Sequence, residues 1–138
     1  MNTDSESPDI LDQMVDAVHQ RHGYDVIALD MMDFPLTMDI FVIVTADNRI
    51  QSRAISDHLE RSARDLGWRL HHKEGYDEGS WILLDFVDFV VHIFLPDKRK
   101  YYNLETLWSD APLKKFEDRH GSDTDDEYTF EITPSNTD

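Results

Sequence analysis

Cysteine is absent from the 138 residues, which removes disulfides, thiolate metal ligands and a cysteine nucleophile together. Long apolar runs are missing as well. The most hydrophobic stretches, Ile82 to Leu84 and Phe89 to Val91, fall far short of the roughly 20 residues a membrane-spanning helix needs, so a soluble protein is expected. Bases are scarce: 13 against 29 acids, a formal charge of -16. Such a balance repels bare nucleic acid and anionic lipid over about a Debye length, leaving basic protein as the partner class and solubility as the bland explanation. The opening MNTDSESPD has no basic segment leading into an apolar stretch, so neither a secretory nor an Arg-rich transit signal is visible. A cytoplasmic address is the simplest reading.

The hydrophobic share, 40%, suffices for one core. Ser7 and Pro8 read as an N-cap and first helical residue, and Ile10, Leu11, Met14, Val15 and Val18 follow at helical spacing until Gly23. YDVIALD at 24 to 30 and Ile40 to Thr45 read as strands, apolar enough for both faces to be covered. Asp47 or Asn48 can cap the next helix, whose apolar positions Ala54, Ile55, Leu59, Ala63 and Leu66 keep a 3.6 period until Gly67. Trp68, Leu70 and His72 alternate as a third strand. Trp81 to Phe86 and Phe89 to Leu95 are so closely linked that they imply an antiparallel hairpin. Asp97 can cap the turn KRKYY, and Asn103 precedes the short helical segment LETLW.

This order predicts an α/β domain with a mixed five-stranded sheet flanked by helices and the hairpin at its end. Residues 1–7 are expected to be a disordered N-terminus, 8–116 the domain, and 117–138 a largely disordered acidic tail in which EYTFEI at 127 to 132 can add an edge strand.

Asp85 and Asp88 flank the hairpin turn, and with Asp39 they suggest a carboxylate cluster for a divalent ion, hence a metal-dependent nucleotidyltransferase. The phosphate-cradling Gly-Ser loop such an enzyme needs does not precede these acids. Gly79-Ser80 opens a strand and Gly121-Ser122 lies in the tail. Turn aspartates more commonly satisfy the local backbone. His71 and His72 face opposite ways on a strand and cannot chelate together. His92 reads as a hydrogen-bonded sheet histidine. No G-x-S-x-G, G-x-G-x-x-G or P-loop is present, so neither catalysis nor a cofactor is expected.

Aromatics are concentrated instead: Trp81, Phe86, Phe89, Phe94, Tyr101, Tyr102 and Trp108 fall close together. Most serve a core. Tyr101 and Tyr102 diverge by about 100° on a helical turn, so at least one reaches the surface. Beside Asp85, Asp88 and Glu105 these rings form the kind of patch that anchors a basic protein surface; a second small core under the last helices is the competing explanation.

GSWILLDFVDFVVHIF followed by KYYNLETLWSDAP resembles the signature of the ribosomal silencing factors, the Iojap-like proteins, which runs W-x-L-L-D-[FY]-G-D-x-V-V-H-x-F and then R-x-Y-Y-x-L-E-x-L-W. DIFVIVTADNRIQSRAISDHL resembles the same family's strand-to-helix segment, and the likeness extends from about Ile10 to Pro112. The resemblance implies a nucleotidyltransferase-like fold without the catalytic motif. It further implies a non-enzymatic translational repressor that binds the large ribosomal subunit at its basic ribosomal protein numbered fourteen and blocks joining of the small subunit. Trp81, Asp85, Asp88, Tyr101, Tyr102, Glu105 and Trp108 are the expected partner-binding residues, with a homodimer through the aromatic face as a further expectation. Two departures stand out. Val87 occupies the family's glycine position, where a β-branched residue suits positive φ poorly and another turn type or a shifted register is expected. The family's T-G-x-S is here Thr45-Ala46-Asp47-Asn48, with Asn48 able to cap as Ser would.

Overall fold

A computed structural model describes residues 2–31 and 40–118. Asp39, the loop around Pro35 and the stretch from residue 119 on, EYTFEI included, lie outside the described residues.

Helix α1 (Asn2–Gln20) leads into β1 (Tyr24–Asp30); β2 (Ile40–Thr45) and α2 (Arg49–Asp65) follow. Next come β3 (His72–Glu74), β4 (Trp81–Asp85) and β5 (Phe89–Phe94), then α3 (Pro96–Tyr102), α4 (Leu104–Leu107) and β6 (Leu113–Lys115). The strands form one mixed sheet in the order β3-β4-β5-β2-β1-β6. Only β2 and β5 run parallel, Ile40 beside Phe89 through Thr45 beside Phe94; the other pairs are antiparallel.

The period-2 alternation of β4, β5 and β2 sends side chains to two faces. Ile82, Leu84, Phe89, Val91, Ile93, Val42 and Val44 point to the face that α1 and α2 cover, meeting Met14, Val18, Ile55, Leu59 and Ala63. Burying each large apolar side chain there contributes about 1.5 to 3 kcal/mol before entropy is subtracted. Ile27, Leu29, Ile43 and Phe94 point to the opposite face, where Leu104 and Ala111 from the α3–α4 region pack on them.

Helix α2 is delimited as its sequence requires. The Asn48 side chain accepts a hydrogen bond from the Gln51 N–H at 2.9 Å, satisfying one donor that the helix start leaves open. Gly67 follows the last turn at φ 92°, a left-handed geometry that glycine adopts without a Cβ penalty.

Several expectations are corrected. Among the described residues the sheet has six strands, not five, because Leu113–Lys115 pairs with β1; a three-residue strand carries too short a pattern to announce itself. The third strand is His72–Glu74 rather than Trp68–His72. Its register is set by β4, His72 opposite Asp85, while Trp68 turns its ring edge onto Phe89, centroids 5.5 Å apart. The hairpin is therefore not at the sheet's end, since β3 lies outside it. Helix α1 begins at Asn2, upstream of the expected Ser7 cap. Leu95, not Asp97, caps α3, with Pro96 as its first residue.

The hairpin turn holds the largest departure. Val87 does adopt positive φ, 78°, against the expectation from its branched Cβ. The Asp88 N–H donates to the Phe86 carbonyl at 2.9 Å, closing a γ-turn, a strained form when its central φ is positive. The Asp85 Oδ1 accepts from the Val87 N–H at 2.8 Å and holds the turn in place.

Candidate functional site

Among the described residues the sheet face opposite α1 and α2 is only half covered, and it collects most of the aromatic residues singled out above. Trp81 on β4 lies across from Phe94 on β5, with ring centroids 4.8 Å apart. Its indole also meets the Tyr102 ring at 4.6 Å. Tyr101 stands edge-on to Tyr102 at 5.0 Å and is 78% exposed, Tyr102 40%. Both tyrosines therefore reach solvent. Lys98 Nζ lies over the Tyr102 ring, 5.8 Å from its centroid. Trp108 is half-buried and packs on the second core cluster.

The expected patch is thus divided. Trp81, Tyr101 and Tyr102 meet at the α3 end of the sheet. Asp85 and Asp88 lie at the hairpin turn, four residues farther along β4, or about 13 Å at the usual rise per residue. Asp85 satisfies the turn backbone, as turn aspartates do; Asp88 is exposed. Glu105 is engaged within the chain, its Oε2 accepting from Arg99 Nη2 at 3.0 Å.

Sequence reasoning passed over Phe41, Leu83 and Val90. All three are half-buried, and their strand parity puts them on the same face as Trp81 and His92. His92 is buried among Phe41, Trp81 and Phe94. The Trp81 Nε1–H donates to its Nδ1 at 3.1 Å, which places the ring proton on Nε2. Burial pushes the imidazole down to a pKa of about 4 because the protonated ring would lose its hydration.

Arg99 was also missed. Its side chain is buried, and Nη1 donates to the Thr45 Oγ1 at 2.8 Å and the Asp25 carbonyl at 2.5 Å. It borders a cavity of about 330 Å³ beside Tyr24, Thr45, Lys100 and Asn103. The Tyr24 hydroxyl, partly buried and donating to Asp47 at 2.8 Å, is pushed up to a pKa of about 12.

Among the described residues, the two hairpin acids and the position of a phosphate cradle lie apart. The position of a phosphate cradle, between β2 and the start of α2, lies at the Thr45 end of the parallel strands, whereas Asp85 and Asp88 lie at the Ile40–Phe89 end. Six residues of β2 separate the two ends, about 17 Å along the strand. Among the described residues no three His, Asp or Glu side chains converge as a metal site, and no helix is long and apolar enough to cross a membrane.

The mixed sheet with its helices is a fold shared with solved relatives of one family. The family model described as "Ribosomal silencing factor during starvation" matches residues 4–137. The ribosomal silencing factor RsfS of Halalkalibacterium halodurans is 38% identical over 109 residues, 79% of this chain and 93% of that protein. That of Bacillus subtilis is 41% identical over 97 residues, 70% of this chain and 82% of its own. A crystal structure of a Chromobacterium violaceum protein superposes with a TM-score of 0.71 at 29% identity, covering 74% of this chain and 85% of that one. The chain belongs to the ribosomal silencing factor family.

Proposed function

We propose that this protein represses translation by sitting on the large ribosomal subunit, at its basic ribosomal protein numbered fourteen, and keeping the small subunit away. The observation that carries the reading is the half-covered aromatic face: Trp81, Tyr101 and Tyr102 are grouped, partly exposed, and backed by a rigid sheet. Aromatic side chains on a firm support are the usual anchors of protein interfaces. The acidic hairpin turn, with Asp88 exposed and Val87 49% exposed, adds charge complementary to a basic partner. Occlusion of this kind needs no reaction and no cofactor, and the distance of Asp85 and Asp88 from the phosphate-cradle position supports this reading over nucleotidyl transfer. The acting unit is the domain over residues 8–116, working in the cytoplasm; Tyr101 and the exposed Leu107 also offer a face for homodimer formation.

Cosedimentation with purified large subunits tests the reading. The full chain is expected to pellet with large subunits at moderate salt and to lower the yield of joined ribosomes when small subunits are added. Folded protein that stays in the supernatant would refute it.

A further inference from the structure

We infer that Glu105 serves docking from inside the fold: with Arg99 it forms a clasp that positions the α3–α4 segment, and it does not itself meet the partner. This rests on the docking role proposed above. Helices α3 and α4 have seven and four residues, far below the length at which an isolated helix is stable. Neither has a side-chain cap at its start, and the junction between them is a single residue, Asn103, in the left-handed conformation at φ 42°. Their mutual angle therefore needs an outside constraint.

Arg99 supplies it. Its guanidinium reaches the Asp25 carbonyl on β1, the Thr45 hydroxyl at the end of β2 and the Glu105 carboxylate at the start of α4. One planar fork thus ties α3 to two strands and to the next helix. Tyr101 and Tyr102 follow Arg99, and Leu107 and Trp108 follow Glu105, so the clasp sets how these four side chains are presented together. Glu105 is not a free surface acid: Oε2 is bound by Arg99, and Oε1 is enclosed without a partner among the described residues.

The test compares substitutions in the full chain for affinity to large subunits. Glu105→Ala is expected to weaken binding tenfold or more. Glu105→Gln should recover most of that loss, because an amide oxygen still accepts from Arg99; an amide as weak as alanine would mean that the charge itself meets the partner and would overturn the clasp. Arg99→Met, which also gives up the Asp25 and Thr45 bonds, should weaken binding at least as much as Glu105→Ala, with the double variant no worse than Arg99→Met alone; losses that add would mean two independent contacts and would also overturn it. If Arg99→Met does not fold, as circular dichroism would show, the Glu105 pair decides alone. If the unaltered chain fails to bind subunits, the docking role falls, and amide hydrogen exchange then reads the clasp directly. Glu105→Ala should speed exchange across residues 98–108 at least tenfold with α2 unchanged, Glu105→Gln much less; equal exchange in all three chains would overturn the clasp.

Discussion

The Trp81 indole N–H donates to Nδ1 of His92 at 3.1 Å, joining adjacent strands through a side-chain hydrogen bond on the half-covered face. The bond requires a neutral imidazole with its proton on Nε2. Burial holds the folded pKa at about 4 against 6.5 for a free histidine, so the unfolded chain takes up a proton first as pH falls. The contribution is whole above pH 6.5 and is lost progressively down to about pH 4. Between pH 6.5 and 5 the protein is expected to lose about 2 kcal/mol through this group alone. Urea unfolding at both pH values checks it: the decline should be about that much larger in the native chain than in His92→Phe, and equal declines would contradict it.

Val87 holds a positive φ that its branched Cβ resists. Val87→Gly is expected to raise stability by about 1 kcal/mol, the relief of backbone strain exceeding the added entropy of the unfolded chain. A denaturation midpoint unchanged or lowered would show that the turn is not strained.

Asn48 stands where the family's cap is Ser, and its side chain holds the Gln51 N–H. Asn48→Ala should cost about 1 kcal/mol, whereas Asn48→Ser should cost much less. Thermal unfolding of the pair measures the difference.

The aromatic and acidic ends of the proposed docking face call for different signatures in binding. Tyr101 is 78% exposed, so Tyr101→Ala should reduce affinity for large subunits by about 1 to 3 kcal/mol with little change in melting temperature. Asp88→Lys should weaken binding at low salt and lose most of its effect as salt rises, because exposed charges are screened beyond about a Debye length. Binding titrations across a salt series separate the two; identical salt responses would dissolve the distinction.

Much of the architecture was legible because periodicity reports burial. β1 and β2 were read with the boundaries the structure has, and the Asn48 cap and Gly67 stop bound α2 as expected. The two misread strands share a cause. β3 and β6 are three-residue strands whose place is decided by pairing with β4 and β1, a tertiary effect that local pattern cannot carry. The site was legible as a composition of aromatic and acidic residues but not as a shape. Sequence proximity suggested one patch, while strand length separates Asp85 from Trp81 and a buried arginine, read as part of a basic turn, takes up Glu105. The neighbours Leu83, Val90 and Phe41 lay within apolar runs that gave no face to any one residue, so only the strand pairing separates them from the core.

The seam between β2 and β5 also constrains how the molecule is born. Ile40 must find Phe89, so a nascent chain that has released only α1, β1, β2 and α2 holds a strand with one open margin and a bare greasy surface. Closure over so long an interval is slow compared with local pairing, and such a half-built intermediate is prone to stick to others of its kind. Synthesis must carry on through the hairpin before the centre can seal.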